Sequence, residues 1–391
     1  MWLLVFIFFV SILLIGWMLF GYLLLIWCMG LFRRQDQPSF PSSWPLISVI
    51  VPCYNEQNQI IDKLEDIRNL DYPRDCLEVI FADGGSSDQT VELLTAAMGK
   101  DEPYRVLSCP QRGKIHQLNH ALSQVRGEII INTDADSRLS PDALKWIAAE
   151  FASRPEVWVV GAYCRPGQAL EVEKYYWSAQ NKGRFMETRA GSSSIVIAQC
   201  YAFRRGLLKA FPDDVIADDI YVAFHANTQG YRTIYSRYAM ALEIRSPQSY
   251  EEFLSHKFRK SNAFLRESLR FLYRLPEMSP FCKIMLFTRT IQQLLLPWLL
   301  LFTILLSGVL LTLFRYDILL FGFLFLLILF IFTSRVFAWV KLPDGPHHYP
   351  IATVIKGYLL TNLIMLATGI SYPFFRQGSS YARLGSGTAF R

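Results

Sequence analysis

Residues 128–136 read EIIINTDAD, an apolar, β-branched run followed at once by two aspartates that lie two positions apart. A short run of this kind between polar residues is typical of a buried β-strand. Two carboxylates at i and i+2 in a turn can converge on one hard cation, and Mg²⁺ or Mn²⁺ is commonly held by one or two carboxylates together with phosphate oxygens of a substrate. The same residues also suit a turn and a helix cap, so the pattern leaves both interpretations open.

The residues before this run repeat the pattern and place helices between the strands. Strands are predicted at 46–52 (LISVIVP), 77–82 (LEVIFA), 104–108 and 128–132. Apolar residues at helical spacing predict helices at 56–70, 90–98 and 114–125. Strands that alternate with helices indicate an α/β fold with a mostly parallel sheet that is covered on both faces. Ligands bind such sheets at the carboxyl ends of the strands, so the site is expected just after Val51, Phe81 and Ile131.

Polar residues follow each of these strand ends. They are Tyr54, Asn55 and Glu56, then Asp83, then Asp134 and Asp136. The glycines after Asp83 would let the backbone approach a ligand closely. The Asp83 carboxylate could accept a hydrogen bond from a base or a sugar. An ordinary turn explains that segment equally simply. Lys114 follows a glycine at a predicted helix start, which suits phosphate binding but also a solvated basic turn.

A second carboxylate pair, Asp218 and Asp219, precedes an amphipathic stretch. One member of a close pair can have a raised pKa and act as a general base. The start of a helix also favours negative charge through the helix dipole. The sequence alone does not separate a catalytic from a structural role for this pair.

Both ends of the chain are strongly apolar. The 391 residues are 52% hydrophobic and 18% charged, which excludes a disordered chain. Residues 1–32 lack Asp, Glu, Lys and Arg and predict a transmembrane helix. Arg33 and Arg34 follow directly, so the central domain is expected on the cytoplasmic side of an inner or plasma membrane.

The late part of the chain predicts about three further spans within 284–376, interrupted by PDGPHHYP at 343–350. One plus three spans would place the C-terminus outside, whereas the arginines around the tail at 377–391 favour the inside. One C-terminal segment is therefore expected to be re-entrant or interfacial.

A basic and aromatic segment precedes these spans. The net charge of +6 is expected to concentrate at 257–274, and 246–283 is predicted to form interfacial amphipathic helices on anionic lipid. The flanking spans disfavour nucleic acid as the partner. The seven cysteines are scattered without a C-x-x-C pair, which indicates reduced thiols and argues against a structural zinc site.

The order of motifs resembles the membrane-bound family 2 glycosyltransferases, which have a GT-A fold. The resemblance covers about residues 47–262 and includes the anchoring pattern at both ends. It implies a Rossmann-like GT-A domain at 47–245. The matching motifs are SVIVPCYNE (48–56), DGGSSDQT (83–90), RGK with LN (112–119), DAD (134–136), AFRR (202–205), ADD (217–219), GYR (230–232) and HKFR (256–259).

The resemblance implies a role for each matching residue. Asp134 and Asp136 would hold the diphosphate through Mg²⁺ or Mn²⁺, and Asp219 would be the general base that deprotonates the acceptor hydroxyl. In-line displacement would then invert the anomeric centre. The nucleotide-sugar contacts would come from Pro52, Tyr54, Glu56, Asp83, Lys114, Asp134 and Arg259.

Two departures from the family pattern bear on function. The Gln-x-x-Arg-Trp motif of processive synthases has no intact copy, and residues 256–260 (HKFRK) stand in its place. Arg259 keeps a cation, but the missing Trp argues against chain extension. Ala217 and Asp218 replace the usual Thr-Glu and leave Asp219 available.

The implied activity is that of an inverting hexosyl- or N-acetylhexosaminyltransferase. It would move a sugar from a nucleotide-sugar, with a UDP-sugar favoured, to a lipid or polysaccharide acceptor at the cytoplasmic membrane face. A processive polysaccharide synthase with a translocation channel is one alternative, and a non-catalytic scaffold or transporter subunit is another. The tract 161–199 is expected on the acceptor side, with Glu187 and Arg204 as polar candidates or as ordinary surface residues.

Overall fold

The computed structural model describes residues 1–33, 36–99, 102–313 and 315–374. Within these residues eight strands form one sheet. The strands are β1 (Ile47–Cys53), β2 (Leu77–Asp83), β3 (Tyr104–Ser108), β4 (Ile129–Asn132), β5 (Ser137–Leu139), β6 (Val157–Pro166), β7 (Tyr201–Arg204) and β8 (Arg232–Glu243). Their spatial order is β3-β2-β1-β4-β7-β6-β8-β5.

The helices fall into a soluble set and an apolar set. The N-terminal apolar segment consists of α1 (Trp2–Gly16), a π-helical turn (Trp17–Gly21) and α2 (Tyr22–Leu31). The soluble set is α3 (Ile60–Arg68), α4 (Thr90–Ala97), α5 (Lys114–Leu122), α6 (Ala143–Ser153), α7 (Glu171–Ala190), α8 (Asp218–Thr228) and α9 (Tyr250–Leu272). The late apolar helices are α10 (Pro280–Thr312), α11 (Tyr316–Trp339) and α12 (Ile351–Ser371).

The sheet has the predicted parallel half and a mixed half. Strand β1 pairs in parallel with β2 and β4, and β2 pairs in parallel with β3. The chain thus leaves β1 toward one edge and returns to its other side at β4. This reversal opens a crevice at the carboxyl ends of β1 and β4, which is where ligands bind in open α/β sheets. The second half adds β7 antiparallel to β4 and β6, while β8 runs parallel to β6.

Alternate side chains of β1 enter two different cores. Val49 and Val51 pack with Leu64 of α3 on one face, whereas Ile50 packs with Leu118 of α5 on the other face. All five side chains are almost fully buried. A strand covered on both faces reads as a continuous apolar run, which is why 46–52 could be predicted as buried.

Four helical segments of the described chain are long and apolar enough to cross a membrane. They are Trp2–Leu31, Pro280–Thr312, Tyr316–Trp339 and Ile351–Ser371. This agrees with the prediction of one N-terminal and three C-terminal spans. By length and composition none of the three late helices has to be re-entrant. Arg34 and the tail 377–391 lie outside the described residues, so the orientation in the membrane stays a prediction.

A buried charge network joins the apolar helices to the sheet domain. The carboxylate of Glu187 on α7 accepts hydrogen bonds from Tyr22 Oη (2.8 Å) and from Arg289 Nε and Nη2 (2.9 and 2.8 Å). The backbone and hydroxyl of Ser194 donate to its other oxygen. Glu187 is therefore a structural link between α2, α7 and α10, and its interpretation as an acceptor-side residue is not supported.

Arg204 is also structural. Its guanidinium donates to the carbonyls of Val157 (3.0 Å) and Phe151 (2.8 Å), and it lies over the Phe151 ring at 5.1 Å. These contacts fix the end of β7 against β6 and α6. These contacts do not support the interpretation of Arg204 as an acceptor-side residue.

Candidate active site

A cavity of about 470 Å³ lies at the carboxyl ends of β1 and β4. It collects residues that are far apart in sequence, as expected for a switch point between strands. Of the residues predicted to be catalytic or to bind the nucleotide-sugar or a metal, Asp83 is absent from its lining. The predicted residues that line it are Pro52, Tyr54, Glu56, Lys114, Asp134, Asp136, Asp219 and Arg259.

The turn after β4 presents its two aspartates to cations. Lys114 Nζ lies 2.9 Å from Asp134 Oδ1, and Arg245 Nε lies 3.0 Å from Asp136 Oδ2. Burial raises the pKa of Asp134, and the negative charges of Asp136 and Asp218 add to this effect against the opposing charge of Lys114. Each carboxylate of the turn thus faces the cavity beside one cation of the chain.

The same turn is held from behind by a buried lysine. Lys63 of α3 donates from Nζ to Asp66 Oδ2 (3.1 Å), to Thr133 Oγ1 (3.0 Å) and to the Ser137 carbonyl (2.9 Å). Its side chain is fully buried, and burial lowers its pKa. Thr133 also donates to the Gln199 carbonyl at 2.8 Å. Lys63 thus fixes both sides of the segment that carries Asp134 and Asp136.

We expect Lys63→Met to destabilise the protein by about 3 kcal/mol, because it leaves the buried Asp66 carboxylate without its charged partner. Thermal and denaturant unfolding of the purified protein in detergent would measure this loss. The matched control is Lys145→Met, which breaks an ion pair of 2.6 Å to the exposed Asp71. That change should cost under about 1 kcal/mol. Equal effects of the two substitutions would contradict the positioning role of Lys63.

The structure separates the roles of Asp218 and Asp219. Both lie in the first turn of α8. Asp218 is buried and accepts from Tyr201 Oη at 2.7 Å, while its other oxygen lies 3.2 Å from Lys114 Nζ. Both Asp218 and Asp219 line the cavity, and Asp219 is the more exposed of the two. Burial and the neighbouring Asp218 carboxylate raise the pKa of Asp219 to about 6. Asp218 is therefore engaged by Tyr201 and Lys114. The role of Asp219 as a general base remains a prediction.

The loops after β1 and β2 are tied to each other. Ser86 Oγ accepts from the Asn55 backbone N–H (2.9 Å), and Asn55 Oδ1 accepts from the Ser87 N–H (2.8 Å). The Asp83 carboxylate accepts from the N–H groups of Gly85 (3.0 Å) and Ser86 (3.1 Å). Asp83 therefore shapes the loop beside the cavity, and its direct contact with a nucleoside remains a prediction.

The basic residues of α9 turn inward to a large extent. Lys257 Nζ donates to Glu173 Oε1 at 2.7 Å, and both side chains are buried. Lys260 Nζ lies 3.7 Å from Glu243 Oε1, and both residues line the cavity. The expectation that the charge of this segment forms only a lipid-facing surface is wrong for these two lysines. The placement of the helix at the membrane interface remains a prediction.

Sequence reasoning missed several side chains that complete the site. Arg245 Nη2 lies 2.6 Å from Glu56 Oε2 and so joins the β1 loop to Asp136. Gln199 donates to the buried carboxylate of Glu243. Gln199 lies in the loop before β7, Glu243 ends β8, and Arg245 follows it. The pairing of these two strands in the sheet depends on contacts distant in sequence. No local motif around them gives a signal.

Comparison with known proteins places the domain in a family. Residues 48–211 match the family model described as glycosyl transferase family 2. This part of the chain therefore resembles a family 2 glycosyltransferase domain. An N-acetylglucosaminyltransferase of Rhizobium meliloti is 24% identical over 271 residues, which cover 64% of this chain and 63% of the relative. A poly-β-1,6-N-acetyl-D-glucosamine synthase of Staphylococcus epidermidis is 26% identical over 205 residues, 50% of this chain and 48% of the relative. The match thus spans less than two thirds of each relative.

One solved structure resembles the chain over nearly its whole length. It is the mannosyltransferase PcManGT from Pyrobaculum calidifontis in complex with GDP-Man and Mn²⁺, with a TM-score of 0.70 and 25% identity. The alignment covers 94% of this chain and 99% of that one, so it includes the apolar helices as well as the sheet domain. The GT-A fold predicted from the motifs is confirmed.

Proposed function

We propose that the protein is an inverting glycosyltransferase that moves a sugar from a nucleotide-sugar to an acceptor at the membrane. The observation that carries this proposal is the convergence of Asp134, Asp136, Lys114 and Asp219 on one cavity. These groups supply what the displacement of a nucleoside diphosphate needs, namely neutralisation of the leaving group and deprotonation of the incoming hydroxyl.

The residues of the turn fit a divalent cation. Asp134 and Asp136 offer carboxylate oxygens, which hard cations prefer, and both residues line the cavity. Among the described residues no cluster of three or more His, Cys, Asp or Glu side chains stands ready as a complete metal site. Phosphate oxygens of the donor would supply the remaining ligands. When bound, Mg²⁺ or Mn²⁺ would neutralise charge on the diphosphate.

The chain's own groups act on both sides of the sugar. Lys114, already held between Asp134 and Asp218, would place its ammonium against the diphosphate. Asp219 would accept the proton of the acceptor hydroxyl as its oxygen attacks the anomeric carbon. The bond from that carbon to the diphosphate oxygen breaks in the same displacement. One attack from the face opposite the leaving group inverts the anomeric centre.

A UDP-sugar is the donor that we propose first, with N-acetylglucosamine as the sugar. The two relatives reported above are named as an N-acetylglucosaminyltransferase and a poly-β-1,6-N-acetyl-D-glucosamine synthase, which supports this choice. GDP-mannose is the second candidate, because the structural neighbour that matches the apolar helices as well is a mannosyltransferase with GDP-Man bound. Single addition is favoured over processive extension, since HKFRK at 256–260 lacks the Trp of the synthase motif.

Nucleotide release tests the donor assignment. The full-length protein, purified in detergent with Mn²⁺, should release UDP from UDP-N-acetylglucosamine in the presence of membrane lipid extract. Faster release of GDP from GDP-mannose would transfer the proposal to the second donor. The absence of release from every UDP- and GDP-sugar, in protein that binds Mn²⁺, would favour the non-catalytic alternative. Ladders of increasing product length would instead support a processive synthase.

The pH dependence of the rate should report the protonation of Asp219. The base works only when ionised, and its pKa lies near 6 rather than at the ordinary value of 3.8. We therefore expect kcat/KM to fall as the pH drops through about 6, with a tenfold loss per unit well below that value. Donor affinity measured over the same range is the control. A rate that stays constant down to pH 4.5 would exclude Asp219 as the base.

A further inference from the structure

One wall of the cavity carries a cluster of cations around an indole ring. Lys257 Nζ lies 5.6 Å from the centroid of the Trp177 ring, Lys260 Nζ lies 5.3 Å from it, and Arg184 Cζ lies 5.7 Å from it. All four residues line the cavity. Trp177 is 3% exposed and Arg184 is 5% exposed, so the Arg184 guanidinium lies where water can solvate it poorly.

The cluster has one cation more than its carboxylates can balance. Glu173 pairs with Lys257 at 2.7 Å, and Glu243 lies 3.7 Å from Lys260. In the described part of the chain Arg184 forms no ion pair with a carboxylate. Its Nη1 donates to the neutral amide oxygen of Asn181 at 3.2 Å, and its Nε makes no hydrogen bond. Burial of an arginine without a charged partner costs free energy, which a bound anion would offset.

The cavity continues from this wall toward the apolar helices. Its lining includes Ser261 of α9, Gln293 of α10 and Ile364 and Met365 of α12. The Ser261 hydroxyl is hydrogen-bonded to Gln293 and accepts from Thr368 Oγ1 at 2.9 Å. Helices α10 and α12 are both long and apolar enough to span a membrane. An amphiphile whose chain lies along these helices could thus bring a polar head into the cavity.

We propose that Arg184 binds a phosphate group carried by a lipid acceptor, with Lys260 beside it. The inference rests on the proposed function and names the acceptor class of that same site. The donor diphosphate has its own cation in Lys114, on α5, which leaves Arg184 on α7 for the second substrate. A phosphate offers two or more oxygens to the planar fork of an arginine and supplies the negative charge that the cluster lacks.

Binding of simple amphiphiles tests this site without knowledge of the natural acceptor. Isothermal titration calorimetry on the full-length protein in detergent would use decyl phosphate, decanol and inorganic phosphate. Saturating UDP, GDP and Mn²⁺ would keep the donor site occupied. We expect decyl phosphate to bind at least about tenfold more tightly than either decanol or inorganic phosphate, since a charge-assisted pair in a buried site adds to the binding of the chain.

Substitutions then locate the phosphate. Arg184→Gln should weaken the binding of decyl phosphate at least about tenfold and leave that of decanol unchanged. Arg184→Lys keeps the charge but loses the fork of donors. Its affinity for decyl phosphate should lie between those of the wild-type protein and Arg184→Gln. Lys174→Gln is the matched control, because this lysine lies on the same helix, pairs with Glu171 and is absent from the cavity lining. Retained binding of UDP with Mn²⁺ would show that each variant is folded.

Three outcomes would overturn the inference. Equal affinities of the wild-type protein for decyl phosphate and decanol would exclude an anion site, whether or not the variants fold. Equal affinities for decyl phosphate and inorganic phosphate would point to a free anion as the ligand. Unchanged binding of decyl phosphate by Arg184→Gln would place the phosphate elsewhere. Donor turnover and its loss in Asp134→Asn are measured separately, so failure here is distinct from failure of the proposed glycosyltransferase activity.

Discussion

Replacement of Asp219 by Asn should lower kcat by about 10²- to 10⁴-fold, the usual contribution of a general base. The amide keeps the size of the side chain and its place in the first turn of α8, but it cannot accept the acceptor's proton. Donor binding should change little, because Lys114 and the aspartates after β4 remain. Rates of sugar transfer together with UDP or GDP affinity would measure the two quantities in the same preparation.

Two neighbouring aspartates serve as controls for this substitution. Asp213 is 81% exposed and lies 3.8 Å from His116, so Asp213→Asn should leave kcat within about twofold. Asp218→Asn should act on stability and on the position of Lys114 rather than on the base. If Asp219→Asn keeps more than a tenth of the wild-type rate while Asp218→Asn loses nearly all of it, the two roles have been assigned the wrong way round.

Removal of either carboxylate of the turn after β4 should weaken metal binding on the order of 100-fold. Loss of a residue that only orients a metal ligand already lowers metal affinity by about 10- to 100-fold, and loss of a ligand should cost at least as much. Asp134→Asn and Asp136→Asn each remove one of the two charges that the turn offers to Mn²⁺. Electron paramagnetic resonance of free Mn²⁺, titrated with protein in the presence of UDP, would measure the affinity directly without reference to catalysis.

The control for the metal measurement is Asp142→Asn, which changes an exposed aspartate whose carboxylate accepts from Trp146 Nε1 at 2.8 Å. Its affinity for Mn²⁺ should equal that of the wild-type protein. Retention of wild-type affinity by both Asp134→Asn and Asp136→Asn would contradict the assignment of this turn as the metal site, even if activity were lost.

The parallel half of the sheet could be predicted because each of its strands is a local apolar run. Strands β1 to β4 begin and end within about a residue of their expected positions. The strand predicted at 104–108, for example, is β3 (Tyr104–Ser108). A site at the carboxyl ends of the strands followed from the same pattern, since parallel strands direct those ends to one edge. The cavity lies at the ends of β1 and β4, while Asp83 at the end of β2 does not line it. Residues that stand directly after these strands, such as Glu56 and Asp134, were therefore found.

The other half of the site depends on pairings that no local pattern reveals. Strand β7 reaches the sheet between β4 and β6, and Tyr201 on it supplies a hydrogen bond to Asp218. Arg245 enters just after β8 to meet Glu56, which lies 189 positions earlier in the chain. The inward turn of Lys257 was missed for a related reason, because its partner Glu173 is on a different helix. Amphipathic spacing shows which residues share a helix face but not which element covers that face.

The anomeric configuration of the product tests the central claim most directly. In the proposed mechanism Asp219 is the one base on the acceptor side and the turn after β4 binds a cation on the donor side, which allows a single displacement. Proton NMR of the sugar transferred from an α-linked donor such as UDP-N-acetylglucosamine or GDP-mannose would show the configuration from the coupling constant of the anomeric proton or carbon. We predict a β-linked product from either donor. An α-linked product would show retention and contradict the account.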